Sequence, residues 1–158
     1  MNIVVIYPGF ARCGFAVIKV DNKKASVLDI GCIEPEVNIN QEFKLEKIFD
    51  QLSKISKEFN PELLGIEKVF FNKNAKTVIN VGSAIGVVKL VGAKNKMEVQ
   101  EYTPLQVKIA LTGYGRAEKK QVEKMIQNIF KLDTSPFVDD AIDALAVAYT
   151  VGVHSGLL

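Results

Sequence analysis

Tryptophan is absent from this chain of 158 residues, histidine occurs once and cysteine twice. With no tryptophan and only 8% aromatic residues, a single-strand binder built on stacking platforms is disfavoured. His154 has no partner at metal-ligand spacing and reads as a surface residue. Cys13 and Cys32 form neither a disulfide framework nor a CxxC pair, so both read as small core hydrophobes with reduced thiols. Neither a P-loop nor a GxGxxG is present, and no internal repeat or low-complexity linker interrupts the chain. The first seven residues lack the basic flank and cleavage pattern of an export signal, which predicts a cytoplasmic protein. The most apolar stretch, 75–93, is broken by Lys76, Asn80 and Lys89. These would be costly near a bilayer centre, so the stretch reads as a packed helix and no membrane span is expected.

What is present suits one globular domain spanning 1–158. Apolar residues make up 48% of the chain and charged residues 24%, and a chain of this size buries roughly 68% of its unfolded surface without disulfides or a structural metal. The net charge of +2 conceals a segregation: residues 67–131 hold 12 Lys and Arg against five Glu, whereas residues 132–158 contribute four Asp and no cation. A basic surface beside an acidic cluster suits a polyanion held near metal-binding carboxylates. Lysines scattered over helix exteriors for solubility would give the same count.

The β-branched run Ile3-Val4-Val5-Ile6, ended by Pro8-Gly9, predicts a strand buried on both faces. Runs at 14–20 and 25–33, joined by Asp21-Asn22-Lys23-Lys24, read as a hairpin. Residues 42–59 take helical period, with Leu45, Ile48, Phe49, Leu52, Ile55 and Phe59 on one side. A short strand at 63–67, a long helix at 75–94 and a strand at 97–102 follow. Thr103-Pro104-Leu105-Gln106 has the capping-box pattern of a helix start, 118–131 resumes helical spacing, and Ser135-Pro136 is expected to begin a last helix ending near Tyr149. The order predicts an α/β fold, a mixed five-stranded sheet with helical layers.

Glu67 closes an apolar strand, where functional side chains of open α/β sheets emerge, although it could equally reach solvent or pair with Lys68. Asp139, Asp140 and Asp143 share the final helix. The first two could simply complement the helix dipole. Asp143 lies within Ala141-Ile142-Asp143-Ala144-Leu145, where a carboxylate facing a core costs several kcal/mol without a compensating cation. Carboxylates converging from a strand and a helix would suit hard cations, and two such ions about 4 Å apart form a phosphodiester-cleaving arrangement.

These residues, with Tyr7-Pro8-Gly9, the segment 66–74, the segment 101–108, Gly113-Tyr114-Gly115-Arg116-Ala117-Glu118-Lys119 and Asp140-Ala141-Ile142-Asp143, resemble the RuvC family of bacterial Holliday-junction resolvases over about residues 1–150, in the same order and spacing. The resemblance implies a ribonuclease-H-like fold and a homodimer working with the branch-migration proteins RuvA and RuvB. The implied reaction is symmetric nicking of two strands of a four-way DNA junction with Mg²⁺ or Mn²⁺, two ions per subunit. It places the metal-binding acids on Glu67, Asp140 and Asp143, DNA-contacting lysines on Lys108 and Lys119, and a junction-contacting aromatic on Phe70. Core packing is the other reading of Phe70, and a solvated helix face that of each lysine.

One departure stands out. The family carries Asp-Pro-Gly after the first strand, and this chain carries Tyr7-Pro8-Gly9. A neutral phenol is a poor ligand for hard cations at neutral pH, so strand cleavage is expected to be severely weakened. Asp139 projects about 100° away from Asp140 around the helix and cannot substitute. A catalytically silent junction-binding protein is the alternative. A phosphotransferase with an actin-like sheet would need a second lobe that 158 residues do not supply. Gly82 and Gly86 on the long helix permit close backbone approach, read here as packing within one subunit or, alternatively, a subunit interface.

Overall fold

A computed structural model describes residues 1–9, 11–68 and 74–158 of the chain. Three strands open it: β1 (Asn2–Pro8), β2 (Cys13–Asp21) and β3 (Lys24–Ile33). Then come α1 (Gln41–Phe59), β4 (Leu63–Glu67), α2 (Ala75–Lys94), β5 (Glu98–Tyr102), α3 (Pro104–Thr112), α4 (Lys119–Phe130) and α5 (Asp139–His154). The strands form one sheet in the order β3-β2-β1-β4-β5. The first three pair antiparallel, and β1 with β4 and β4 with β5 pair parallel. The continuously apolar run of β1 is explained by this position, since Ile3, Val4, Val5 and Ile6 are all fully buried at the centre of the sheet.

Alternation along the strands splits the core in two. Ile3, Val5, Ala16, Ile18 and Leu63 face a layer made by α3, α4 and α5. Val4, Ile6, Val17, Leu64 and Ile66 face α1 and α2. Tyr7 packs on the α5 side, and two-residue alternation from Leu63 brings Glu67 to that same side. The β2–β3 connection is tighter than the four residues expected: Asn22 and Lys23 alone form it, both with positive φ, as a two-residue hairpin requires.

Other expectations need correction. Ser135-Pro136 does not start a helix. Asp133 instead accepts hydrogen bonds from the Ser135 amide and hydroxyl, both at 3.0 Å, which turns the chain before α5 begins at Asp139. At its other end α5 runs past Tyr149 to His154, with Gly152 making room for Leu158, whose Cδ1 would lie 2.6 Å from a Cβ there. Among the described residues, Gly82 and Gly86 do not serve packing within the subunit, because a Cβ at either meets nothing within 4 Å. Cys13 is buried as expected, while Cys32 is half-buried. His154 is exposed at the end of α5. α2 is long and apolar enough to pass for a membrane span by length and composition, but one face packs on the sheet through Ala84, Val88 and Val91.

Candidate active site

The parallel pairing of β1 with β4 aligns Ile6 with Ile66, which sets Tyr7 beside Glu67 at the carboxyl ends of the two central parallel strands. α5 crosses this end of the sheet. Its Ala141, Ala144, Leu145 and Ala148 are buried, and the small residues let it sit low enough for Asp143 to reach the same place. Tyr7, Glu67, Lys108, Lys119 and Asp143 line one cleft of ≈ 290 Å³. Lys108 comes from α3, whose start is fixed by a full capping box: Thr103 Oγ1 accepts from the Gln106 amide, and the Thr103 amide donates to Gln106 Oε1. Lys119 opens α4 and donates to Asp139 Oδ2 at 2.9 Å.

The cleft is an unfavourable place for negative charge. Burial pushes the Glu67 carboxyl up to about 7, with the charge of Asp143 adding to it, while the Tyr7 hydroxyl and Lys108 partly hold it down. Burial also lifts Asp143 to about 6, against the pull of Lys119 and with help from Asp140 and Asp139. The Tyr7 phenol is pushed far above its ordinary value, first by burial and then by the acids Glu67, Asp143 and Asp140, so it remains a neutral hydrogen-bond donor at every physiological pH.

Asp140, expected in the same cluster, does not line the cleft. It lies one turn before Asp143, and its Oδ2 accepts from Arg12 Nε at 2.9 Å. Phe70 lies outside the described residues. Arg12 was not singled out by the sequence, because 128 residues separate it from Asp140 and no local pattern joins them. Among the described residues, no group of three or more His, Cys, Asp or Glu is gathered so that it could hold a metal ion. Two carboxylates facing the cleft, a neutral phenol where a third anion is expected, and a fourth group tied to an arginine do not fit a bridged pair of hard cations. The cleft can grip a phosphate through Lys108 and Lys119 beside acids that remain partly protonated near neutrality.

A larger open groove of ≈ 720 Å³ between α1 and α2 is lined by Lys54, Lys57 and Lys94 but also by Asp50 and Glu58. Three lysines against two acids leave it only weakly basic, with no convergence of acids.

Comparison with known proteins places the chain in a family. The family model described as crossover junction endodeoxyribonuclease RuvC matches residues 3–151. A protein of that name from Fusobacterium nucleatum subsp. nucleatum is 44% identical over 150 residues, covering 95% of this chain and 79% of the relative. Another from Caldanaerobacter subterraneus subsp. tengcongensis is 43% identical over 148 residues, covering 94% and 90%. Among solved structures, Thermus thermophilus RuvC in complex with Holliday junction substrate superposes with a TM-score of 0.92 at 29% identity, over 98% of this chain and 94% of that one. The sheet order and flanking helices are accordingly those of a ribonuclease-H-like fold.

Proposed function

Because the chain belongs to the RuvC family of crossover junction endodeoxyribonucleases, we propose that it binds four-way DNA junctions as a homodimer, offering one cleft per protomer to a phosphodiester, and that its strand cleavage is severely impaired by Tyr7. The observation that carries this reading is the meeting of Glu67 and Asp143 with Lys108 and Lys119 in one cleft at the carboxyl ends of β1 and β4. The lysines take the phosphate backbone, and the acids stand where a scissile bond would lie.

The family's nucleases depend on divalent metal. Glu67, Asp140 and Asp143 would hold Mg²⁺ or Mn²⁺ in a competent site, where the metal would supply an activated water and a stabilised leaving oxygen. The assigned acids are Glu67, Asp140 and Asp143, and Tyr7 denies them the anionic neighbour that would let two ions sit together. What this chain's own side chains do is bind and orient: Lys108 and Lys119 neutralise phosphate charge, and the neutral Tyr7 phenol lines the cleft with Glu67. Pairing of two protomers is favoured by the outer face of α2, where Ile79 and Leu90 are exposed and Gly82 and Gly86 face open space. A setting in the cytoplasm alongside RuvA and RuvB belongs to the same reading.

A synthetic four-way junction and a duplex of the same sequence, compared by fluorescence anisotropy at fixed salt, test it. The junction is expected to bind tighter, with Lys108→Ala and Lys119→Ala each weakening binding and flattening its salt dependence. Equal affinity for the two DNAs sinks the junction reading. Nicking is then followed with Mg²⁺ or Mn²⁺, where the chain is expected to cleave poorly and Tyr7→Asp to cleave faster. A silent binder gives no residual nicks, and full activity of the starting chain defeats the role given to Tyr7.

A further inference from the structure

The connection from β1 to β2 is pressed onto the first turn of α5. A Cβ on Gly14 would fall 1.9 Å from the Asp140 carbonyl oxygen, and one on Gly9 would fall 3.2 Å from Asp140 Oδ2. Glycine at both positions lets the chain lie this low. From here Arg12 reaches over the start of α5 and donates from Nε to Asp140 Oδ2 at 2.9 Å, while its Nη1 stands 3.7 Å from Glu34 Oε1 at the end of β3. The guanidinium is thus held between two acids from different parts of the chain. Asp140 keeps only 23% of its side-chain exposure.

We propose that Arg12 is a built-in cation that withholds Asp140 from divalent ions, so that two independent obstacles to metal binding lie in one stretch of chain, Tyr7 in β1 and Arg12 in the connection after it. The proposal rests on the acidic site assigned above. A guanidinium keeps its charge at all accessible pH and has no lone pair to share with a metal. It takes one lone pair of Oδ2, and a cation approaching either oxygen meets its repulsion. Lys119 does not play this part, because its bond goes to Asp139, an exposed carboxylate that does not line the cleft. It follows that restoring the missing acid at position 7 is by itself an incomplete repair.

Mn²⁺ binding tests this without any reaction. Calorimetric titration of Tyr7→Asp, Tyr7→Asp/Arg12→Gln and Tyr7→Asp/Arg12→Lys at one ionic strength, with melting curves as the check on folding, is expected to rank the Gln double variant tightest. The gain over Tyr7→Asp should be roughly tenfold, because a fixed positive charge a few ångströms from the incoming cation is removed. Lysine keeps the charge but lacks the fixed Nε donor, so that variant should fall between. Equal Mn²⁺ affinity in Tyr7→Asp and either folded double variant overturns the Arg12 assignment alone. Absence of Mn²⁺ binding in all three, with junction binding intact, overturns it together with the acidic site. Should Arg12→Gln fail to fold, the Lys variant carries the same comparison.

Discussion

The two long apolar helices, α5 and α2, are close in composition and opposite in what the fold does with them. α5 buries ten of its sixteen residues against the middle of the sheet, chiefly on β1 and β2. α2 buries five of twenty, and it leaves Ile79 66% and Leu90 53% exposed on a face that also presents Gly82 and Gly86. The apolar content of α5 is therefore accounted for within one protomer, and that of α2 is not. The same deep burial gives α5 its chemical role: carrying Asp143 into a desolvated cleft is what makes its charge costly and a cation welcome. The sharpest way to break the comparison is truncation of one leucine on each helix. Leu145→Ala should cost about 3 kcal/mol, as fully buried leucines do, and Leu90→Ala less than about 0.5 kcal/mol. Urea unfolding at concentrations where the chain is monomeric reads both, and equal costs would erase the distinction.

The α5 side should also be the pH-sensitive side. Glu67 has its carboxyl raised from 4.5 to about 7 and Asp143 from 3.8 to about 6. The folded state holds their protons more tightly than the unfolded chain does. Their contribution to stability is therefore complete below the unfolded values and is lost as pH rises through about 6 and then about 7. For Glu67 the loss amounts to roughly 2 kcal/mol after allowance for solvent screening at a partly open cleft. Wild type should thus lose stability between pH 5 and pH 8, and Glu67→Gln should lose much less. A stability difference between the two that stays constant over that range would mean that Glu67 titrates normally.

How much of this was legible beforehand follows the distance over which each feature is decided. The start of α3 was fully readable, because Thr103, Pro104 and Gln106 settle it within four residues. β1 was readable as a central strand, since two-sided burial demands a continuous apolar run. The beginning of α5 was not, because Asp133 competes for the Ser135 amide and spends the proline in a turn. Glu67, Asp143, Lys108 and Lys119 could be named from the residues but joined in one site chiefly through the family resemblance, because their meeting depends on β1–β4 register and on how low α5 sits. The Arg12–Asp140 bond left no trace in the sequence, and it changes what the acids can hold.

The unpartnered face of α2 yields a weaker effect that sharpens the comparison from the other side. Leu90→Glu places a charge where a second protomer would pack. It should weaken self-association by about tenfold, or roughly 1.4 kcal/mol, as read by sedimentation, and leave the melting of the isolated protomer within about 0.5 kcal/mol of wild type. Unchanged association would move the subunit contact elsewhere.

The smallest effect is the most discriminating, because its sign depends on what lies against α2. Gly82 and Gly86 occupy helix interior, where glycine costs roughly 0.5–1 kcal/mol relative to alanine, and none of the described residues needs the space, since a Cβ at either position meets none of their atoms within 4 Å. Gly86→Ala should therefore stabilise the isolated protomer by about 0.5–1 kcal/mol. In a dimer whose helices approach at these glycines, the added methyl meets the partner's backbone and association weakens. Melting measured at low and at high protein concentration separates the two contributions: the variant should melt above wild type when dilute and lose that advantage when concentrated. A gain of the same size at both concentrations would mean that the glycines are not at a subunit contact, leaving Ile79 and Leu90 as the remaining reason to pair two chains through this helix.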